Sequence, residues 1–482
     1  MKFDATDAKI KTGCEFEVDK LIHDTRLRLV KGLDIVLVTI PFVACWYCYY
    51  AERIAAPFYN KGNILMVFLF LVLYCVFARV YDALLVSMNR ISEMLYSQML
   101  AILISDGIMY IVLWLLSKHF PNILPALAAL AAQMILAALW CYAAHRWYFT
   151  VFPPKRSGIV YDLRQGMESL IGEYGLTKKF DIQLTTTANE CVENLHMLDE
   201  LDAVFVSGVH SHERNIILKY CVARRIDVYV VPRIGDVIMS GAHRLHMLHL
   251  PILRVRYYSP TPEFVAVKRL FDILMSALAV ILLSPIFIVT GAAIKAEDGG
   301  PVFYKQCRLT KDGRRFNILK FRSMRVDAEK DGVARLSSGE NDDRITSVGR
   351  IIRKIRVDEL PQLFNILVGD MSFVGPRPER PEIAAQYEEE LPEFALRLQA
   401  KAGLTGYAQV FGKYNTTPYD KLQMDLTYIA HPSLIEDLRI IFATIKILFL
   451  TESTEGVAVG ATTAMGYENE VDSTRNEAET VV

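Results

Sequence analysis

Four long apolar stretches in the first third of the chain restrict most strongly how it can fold. Each approaches or exceeds the ~20 residues that a helix needs to cross the hydrocarbon core of a bilayer, and they cover Leu33–Tyr50, Ile64–Phe77, Met99–Leu116 and Ile123–Ala144. Of the 482 residues, 52% are hydrophobic and 22% are charged, so membrane and water-exposed parts are expected together. We predict a four-helix transmembrane region over residues 1–150.

Charges in the loops predict how these helices are oriented. Basic residues lie before the first stretch, between the second and third, and after the fourth, whereas the opposite loops hold only Arg53, Lys61 and Lys118. Cytoplasmic loops carry an excess of Lys and Arg. The pattern therefore predicts a multi-pass protein whose N-terminus and all residues after 150 face the cytoplasm. With 53 basic and 54 acidic side chains the net charge is −1, so no nucleic-acid partner is expected.

Residues 151–262 have the pattern of a small parallel α/β domain. Helix-compatible segments separate five short β-rich runs, which are Gly158–Tyr161, Asp181–Thr186, Asp202–Val206, Ile226–Val231 and Ile252–Tyr257. The first run continues as Tyr161-Asp162-Leu163-Arg164-Gln165-Gly166, which lacks the glycine spacing of a dinucleotide site. We predict a Rossmann-like domain that acts as a scaffold or regulatory module.

A fifth apolar run, Leu270–Ile294, is flanked by basic residues at both ends and contains Ser284-Pro285 near its middle. A straight helix cannot place both ends on the cytoplasmic side, but a helix broken at proline can enter the membrane and return. We therefore predict a re-entrant membrane helix over 268–294, within a mostly α catalytic domain at 263–450. The acidic, polar stretch 451–482 is expected to be disordered.

The candidate chemistry lies in two short segments after a basic amphipathic helix at 348–356, which is predicted to lie in the membrane interface. Asp358 and Glu359 precede Pro361, which biases Leu360 away from helical geometry and should break the helix there. Such a carboxylate pair suits either metal binding with acid–base work or a nucleophile beside a metal ligand. In Pro376-Arg377-Pro378 a stiff segment holds a guanidinium that matches phosphate oxygens.

Several further motifs occur in the same order as in a known family. They are Lys268-Arg269-Leu270-Phe271-Asp272, Ser284-Pro285, Gly300-Pro301-Val302-Phe303-Tyr304-Lys305-Gln306, Lys320-Phe321-Arg322-Ser323-Met324, Asp358-Glu359-Leu360-Pro361-Gln362-Leu363 and Gly369-Asp370-Met371-Ser372 running on to Gly375-Pro376-Arg377-Pro378-Glu379. The stretch from Val267 to Phe449 thereby resembles the bacterial sugar transferase family, whose members transfer a sugar 1-phosphate to polyprenyl phosphate. One departure is Ala402, where family members usually have proline.

The resemblance implies a two-step reaction. Asp358 would attack a nucleoside diphosphate sugar, and polyprenyl phosphate would then displace Asp358 from the phosphosugar. It implies Mg2+ as cofactor with Glu359 as its ligand, and Arg377 as a phosphate contact. Further substrate-binding candidates at family-like positions are Arg308, Lys320, Arg322, Asp425 and Tyr428.

The implied partners are a UDP-sugar, undecaprenyl phosphate and membrane lipid, and a homodimer is compatible with the family. The implied location is the bacterial inner membrane, with the catalytic domain on its cytoplasmic face. The implied role is the first step of cell-surface polysaccharide synthesis, such as exopolysaccharide, capsule or O-antigen.

Two other functions stay open from the sequence. A Mg2+-dependent glycosyltransferase could use Asn341-Asp342-Asp343 to hold its donor and would release a nucleoside diphosphate. A membrane sensor could bind a ligand in the Rossmann-like domain, but it would have no need of the Asp358–Glu359 pair.

Overall fold

The computed structural model describes residues 13–162, 164, 166–247, 249–258, 260–326, 344–412 and 416–448. Its contacts divide the chain into two compact units, Met1–Pro232 and Arg233–Val482. The predicted disordered tail at 451–482 lies outside the described residues. The predicted limits of the domains stay predictions.

The first unit begins with four long helices, α1 (Gly13–Cys45), α2 (Asn60–Val80), α3 (Ile91–Leu116) and α4 (Leu124–Val151). A π-helical turn, Trp46–Tyr50, follows α1 directly. Together with α9 of the second unit, these are five described helices that are long and apolar enough to cross a membrane. Such helices make the chain a membrane protein.

The α/β part of the first unit comprises β1 (Lys155–Tyr161), α5 (Met167–Glu173), β2 (Phe180–Thr187), α6 (Ala188–Glu193), β3 (Ala203–Ser207), α7 (Ser211–Ala223) and β4 (Asp227–Val230). The strands form one parallel sheet in the order β2-β1-β3-β4. Buried Val160, Val204 and Ile217 belong to the core between this sheet and its helices. The prediction of a parallel α/β fold is confirmed, as are four of its five strands.

The fifth predicted strand, Ile252–Tyr257, is not part of that sheet. The second unit begins with α8 (Ile234–Ser240), followed by β5 (His243–Met247) and β6 (Leu250–Arg254). The last two pair with each other as an antiparallel hairpin. The partner strand β5 has the sequence His-Arg-Leu-His-Met, which contains none of the β-branched or aromatic residues that are enriched in strands, so the residue pattern carries no signal for this hairpin.

The remainder of the second unit is mostly helical and contains four more strands. In chain order its elements are α9 (Pro262–Asp298), β7 (Phe303–Leu309), β8 (Arg315–Phe321), α10 (Ser347–Lys354), α11 (Gln362–Val368), β9 (Ser372–Val374), α12 (Pro381–Glu390), β10 (Gly403–Thr405), α13 (Tyr407–Phe411), α14 (Pro418–Ala430) and α15 (Leu434–Leu448). β7 and β8 form an antiparallel hairpin, and β9 pairs in parallel with β10. The membrane α plus α/β class predicted from the sequence is confirmed at this level. The predicted break at Pro285 does not end the helix, because α9 stays helical from Pro262 to Asp298 with Pro285 inside it, and the re-entrant path stays a prediction.

Helix α8 packs into the core of this second unit. Val237 is 4% exposed and shares a cluster with Val374, Tyr387 and Leu426. The chain then passes so close to α14 that a Cβ at Gly241 would lie 2.8 Å from the carbonyl oxygen of Ala430. This segment therefore packs with α14 and the neighbouring helices of the second unit.

Candidate active site

The two candidate catalytic carboxylates lie in a tight turn between α10 and α11. Arg356 has a φ of 55°, in the left-handed region that L-residues rarely adopt. A 3-10 turn, Val357–Glu359, follows it. The helix is therefore broken at Arg356. The predicted break at Leu360 is wrong, since Leu360 is helical with φ −55° and ψ −35°, and Pro361 starts α11, where its missing N–H is not needed.

Three basic side chains converge on Glu359. Its Oε1 accepts hydrogen bonds from Nζ of Lys320 at 3.0 Å and from Nη2 of Arg377 at 3.2 Å. Nη1 of Arg356 is 3.9 Å from Oε2. Burial alone would raise the pKa of Glu359, but these three positive charges hold that pKa below its usual range. Glu359 is therefore ionised at neutral pH.

Asp358 has a different electrostatic environment, although it is the next residue. Burial and the negative charge of Glu359 raise the pKa of Asp358 to about 6, against the opposing effect of Lys320, Arg353 and Arg356. At pH 7 and above Asp358 is mostly ionised. It is then a carboxylate that remains basic enough to attack an electrophile.

Arg377 reaches Glu359 from the segment that follows β9. Two arginines fix the backbone of that segment: Nη2 of Arg397 donates to the carbonyl oxygen of Arg377 at 2.8 Å, and Nη1 of Arg308 donates to that of Pro378 at 3.2 Å. The side chain of Arg377 itself is 45% exposed. Its guanidinium is thus held beside the carboxylates and still accessible to a ligand.

Arg308 and Arg397 are both paired with acidic side chains. Arg308 lies 3.8 Å from Glu379, and Arg397 lies 3.6 Å from the other oxygen of Glu379. Arg308 therefore contacts the Arg377 segment twice, at the carbonyl oxygen of Pro378 and at the side chain of Glu379.

Arg322 has a different environment from Lys320, two residues earlier on β8. Its guanidinium forms two hydrogen bonds with Asp298 at the end of α9, one of them 2.6 Å long, and its Nε donates to the carbonyl oxygen of Pro301 at 2.7 Å. Its side chain is only 7% exposed. In this structure Arg322 joins α9 to β8, whereas Lys320 contacts the carboxylate turn.

Asp425 and Tyr428, both on α14, are buried. Asp425 lies 2.7 Å from Nη2 of Arg397. Burial and the charge of Glu379 raise the pKa of Asp425 to about 6, although Arg397 opposes this. The hydroxyl of Tyr428 donates to Asp437 at 2.8 Å. Asp425 is therefore connected to the Arg377 segment through Arg397, and Tyr428 forms a hydrogen bond with Asp437 on α15.

The donor set of the turn fits a hard divalent cation only in part. Among the described residues no group of three or more His, Cys, Asp or Glu side chains could hold a metal ion. Mg2+, however, is commonly bound through one or two carboxylates together with substrate phosphates and water. Asp358 and Glu359 provide such carboxylates, so they fit an ion shared with the substrate. The rival Asn341-Asp342-Asp343 motif lies outside the described residues.

Two basic residues near the site were not predicted from the sequence as functional. Arg397 lies within the apolar run Phe394-Ala395-Leu396-Arg397-Leu398, and a single arginine in such a run is a signal for a buried, paired charge. The sequence predicts Arg356 only as part of the basic amphipathic helix at 348–356. No local pattern indicated that it would adopt the strained conformation that ends α10.

Comparison with known proteins shows that the region containing this site is similar to one protein family. The family model described as bacterial sugar transferase matches residues 263–451. A UDP-N-acetylgalactosamine-undecaprenyl-phosphate N-acetylgalactosaminephosphotransferase from Aeromonas hydrophila is 38% identical over 232 residues, which are 48% of this chain and 54% of the relative. The chain thus spans about half the length of that relative.

Two other relatives are matched over more of their length. A UDP-glucose:undecaprenyl-phosphate glucose-1-phosphate transferase from Caulobacter vibrioides is 40% identical over 210 residues, 42% of this chain and 78% of the relative. The exopolysaccharide production protein PSS of Rhizobium leguminosarum bv. phaseoli is 40% identical over 198 residues, 39% of this chain and 96% of the relative.

Proposed function

The chain belongs to the bacterial sugar transferase family, and on that premise we propose that it transfers a sugar 1-phosphate from a UDP-sugar to undecaprenyl phosphate. The product would be the first lipid-linked intermediate of a cell-surface polysaccharide. The observation that carries this proposal is the pair of neighbouring carboxylates with different environments, Asp358 and Glu359, in the turn that Lys320, Arg356 and Arg377 surround. The names of the Aeromonas and Caulobacter relatives, each of which includes a UDP-sugar and undecaprenyl phosphate, support the two substrates.

In the first proposed step, a carboxylate oxygen of Asp358 attacks the phosphorus next to the sugar. The bond from that phosphorus to the bridging oxygen breaks, and UMP leaves with the electron pair. Asp358 is then joined to the sugar phosphate as an acyl phosphate. Asp358 is suited to this role because it is ionised at neutral pH, whereas three basic side chains engage Glu359.

In the second proposed step, a phosphate oxygen of undecaprenyl phosphate attacks the same phosphorus. The carboxylate of Asp358 leaves, and a new diphosphate bond links lipid and sugar. Both steps bring anions together, so their barriers are mainly electrostatic. Arg377, which is partly exposed beside the carboxylates, is positioned to contact the phosphoryl oxygens.

Mg2+ is the cofactor that we propose, with Glu359 and the substrate phosphates as its ligands. When bound it would neutralise charge on the phosphates. Glu359→Gln is expected to lose most activity and to raise the Mg2+ concentration needed for half-maximal UMP release. A Mg2+ titration of UMP release for the wild type and the variant measures this. An unchanged half-maximal concentration would reassign Glu359 to holding Lys320 and Arg377.

The location at the membrane is also a proposal: α9 enters the cytoplasmic side of the inner membrane and returns. Near its start, Lys268 bonds Asp437 at 2.6 Å and Asp272 accepts from the backbone N–H of Phe373 at 3.0 Å. At its other end, Glu297 accepts from the backbone N–H of Ser347 at 2.7 Å, and Asp298 is paired with Arg322. Both ends are thus bonded to the same unit, which supports a re-entrant path.

Exposed apolar side chains on two helices support the same location. On α9 they include Leu274, Ile281 and Val289, which are 60%, 69% and 68% exposed. On α10, which ends just before the catalytic turn, Ile351 is 64% exposed, and Ile355 directly after that helix is 61% exposed. Such surfaces are favourable against lipid and costly in water.

Cysteine labelling tests this topology. Probes at Glu263 and Ala296, in a chain without its native cysteines, should react with a membrane-impermeant thiol reagent only after cell lysis. Ala296 is a suitable position because it is exposed, whereas the nearby Asp298 is paired with Arg322. Labelling of Ala296→Cys in intact cells would show that α9 crosses the membrane.

Nucleotide release tests the reaction itself. Purified protein with undecaprenyl phosphate, Mg2+ and a panel of UDP-sugars should release UMP with at least one sugar. Release of UDP instead would support the rival glycosyltransferase. Absence of any nucleotide release across the panel, from protein shown to be folded, would favour the sensor.

A further inference from the structure

Two carboxylates, Asp34 and Asp106, lie within the apolar stretches of α1 and α3, and their surroundings differ. Both oxygens of Asp34 are bonded: Tyr74 donates to Oδ2 at 2.6 Å and Gln98 donates to Oδ1 at 3.0 Å. Asp106 lies near Gln133, whose side-chain nitrogen donates to the carbonyl oxygen of Val38 at 3.1 Å. Oδ2 of Asp106 is buried and has no hydrogen-bond partner among the described residues.

Asp106 also lines a small cavity, which has a volume of about 40 Å³. A cavity needs roughly 10–15 Å³ to hold one water molecule, so this one has room for a small polar group. The walls come from α3, the start of α4, the end of α1 and its π-helical turn. Irregular turns of this kind are frequent at functional sites. A carboxylate with an available oxygen therefore opens on a space that can take a group about the size of an ammonium.

Four aromatic side chains line the cavity, and three of them, all except Phe42, are fixed by a hydrogen bond of their polar atom. Trp46 donates to the side-chain oxygen of Asn63 at 3.1 Å, Tyr50 donates to the carbonyl oxygen of Asn122 at 2.6 Å, and Tyr110 donates to that of Pro121 at 2.7 Å. The rings are thus held in place. The faces of such rings attract cations, particularly where water is excluded.

The charge of the lining residues restricts which ligand can bind. Asp106 is the charged side chain at the cavity, and none of the described residues that line it is Lys or Arg. A phosphate or diphosphate would therefore be repelled. An isolated carboxylate within a membrane segment is unfavourable unless it meets a cation or a hydrogen-bond donor. The remaining walls, such as Met109 and Leu113, are apolar.

We propose that this cavity binds the ammonium group of an aminophospholipid. The ammonium would donate a hydrogen bond to Oδ2 of Asp106 and contact the aromatic faces, while the lipid phosphate would stay outside the cavity and the acyl chains would extend along the apolar surface of the helices. A lipid is favoured over a soluble amine because the cavity lies between helices of membrane-spanning length, whose outer faces carry exposed side chains such as Leu115, Ile135 and Leu139. This site is independent of the proposed reaction.

Native mass spectrometry of the full chain in detergent tests the proposal. Phosphatidylethanolamine and phosphatidylglycerol with identical acyl chains are added at equal concentration. The wild type is expected to retain phosphatidylethanolamine at least about tenfold more, and Asp106→Asn is expected to lose that preference. Asp34→Asn is the matched control, because it removes a membrane carboxylate outside the cavity, and it should keep the preference.

Two further arms make the result decisive. Ala129→Phe, which fills the cavity from α4 and leaves Asp106 in place, should also abolish the preference. Glycerophosphoethanolamine, the headgroup without acyl chains, should not bind at the same concentration. The proposal is overturned if the wild type shows no preference, if both cavity variants keep it, or if the free headgroup binds as well as the lipid.

Discussion

The ion pair Lys155–Asp227 on the parallel sheet of the first unit is exposed, whereas the pair Arg397–Asp425, which holds the Arg377 segment of the second unit, is buried. Lys155 on β1 and Asp227 on β4 are 41% and 55% exposed, while Arg397 and Asp425 are 4% and 1% exposed. Exposed pairs contribute about 0–1 kcal/mol to stability. Buried charges are costly to desolvate unless several bonds compensate them. Buried, compensated charges are thus concentrated in the region where we place the transfer between anions.

This difference explains how the two neighbouring carboxylates can have different roles. Three basic groups hold Glu359 ionised, and burial beside Glu359 raises the pKa of Asp358. Acidic groups on the sheet have no comparable surroundings, because water screens them. Changes at the two regions should therefore have very different effects.

The largest effect is expected at Asp358. Asp358→Asn keeps nearly the same volume but removes the nucleophile, so UMP release should fall by at least about 10³-fold. Asp227→Asn, which removes an exposed carboxylate from the sheet, should keep the wild-type rate. Initial rates of UMP release with saturating substrates measure both variants. Comparable rates for the two would remove the basis for a covalent role of Asp358.

The next largest effect concerns stability. Arg397→Ala leaves Asp425 buried without its cation and releases the carbonyl oxygen of Arg377, so the free energy of unfolding should fall by about 3–5 kcal/mol. Lys155→Ala should change it by about 1 kcal/mol or less. Chemical denaturation in detergent micelles measures both. Equal losses would contradict the contrast between buried and exposed pairs.

The pH dependence should separate two buried carboxyl groups. Since the pKa of Asp358 is raised to about 6 and only its ionised form can attack, the turnover rate should fall about tenfold per pH unit below that value. Asp425 has a pKa raised to a similar value, so Asp425→Asn is the control. The acid limb should persist in this variant. Its disappearance would assign the limb to Asp425.

A smaller effect is expected when the start of the chain is moved from the boundary between the units to a position near Thr261. A chain beginning near Thr261 should keep UMP release, because the predicted chemistry lies downstream. It lacks α8, however, whose Val237 is buried in the core of the second unit. A chain beginning at Arg233 should therefore have the same rate and a melting temperature several degrees higher. Identical melting temperatures would show that α8 adds no stability.

Local periodicity explains what the sequence could predict of this fold. The apolar stretches indicated the four helices of the bundle, and the alternation of short β-rich and helical segments indicated the parallel sheet. Periodicity also explains why only one strand is predicted for the segment 234–254. Its strands pair with each other and α8 packs against α14, and such partners are distant in sequence or leave no periodic signal.

The candidate site was predictable as a set of residues, but its internal connections were not. Sequence motifs indicated Asp358, Glu359 and Arg377, and the structure brings Arg377 and Lys320 to Glu359. Arg397 was missed, because its role depends on the carbonyl oxygen of Arg377, 20 residues earlier. The environment that distinguishes Asp358 from Glu359 likewise arises only when β8, α10 and the Arg377 segment meet.

The most direct test of the central claim is to trap the sugar phosphate on Asp358. The protein is mixed with a UDP-sugar whose phosphate next to the sugar is labelled, with Mg2+ and without undecaprenyl phosphate. We expect a burst of about one UMP per active site, label retained on the protein, and a mass increase of one sugar phosphate on the peptide that contains Asp358. No burst and no labelled protein, from a preparation that turns over fully once undecaprenyl phosphate is added, would contradict the covalent mechanism.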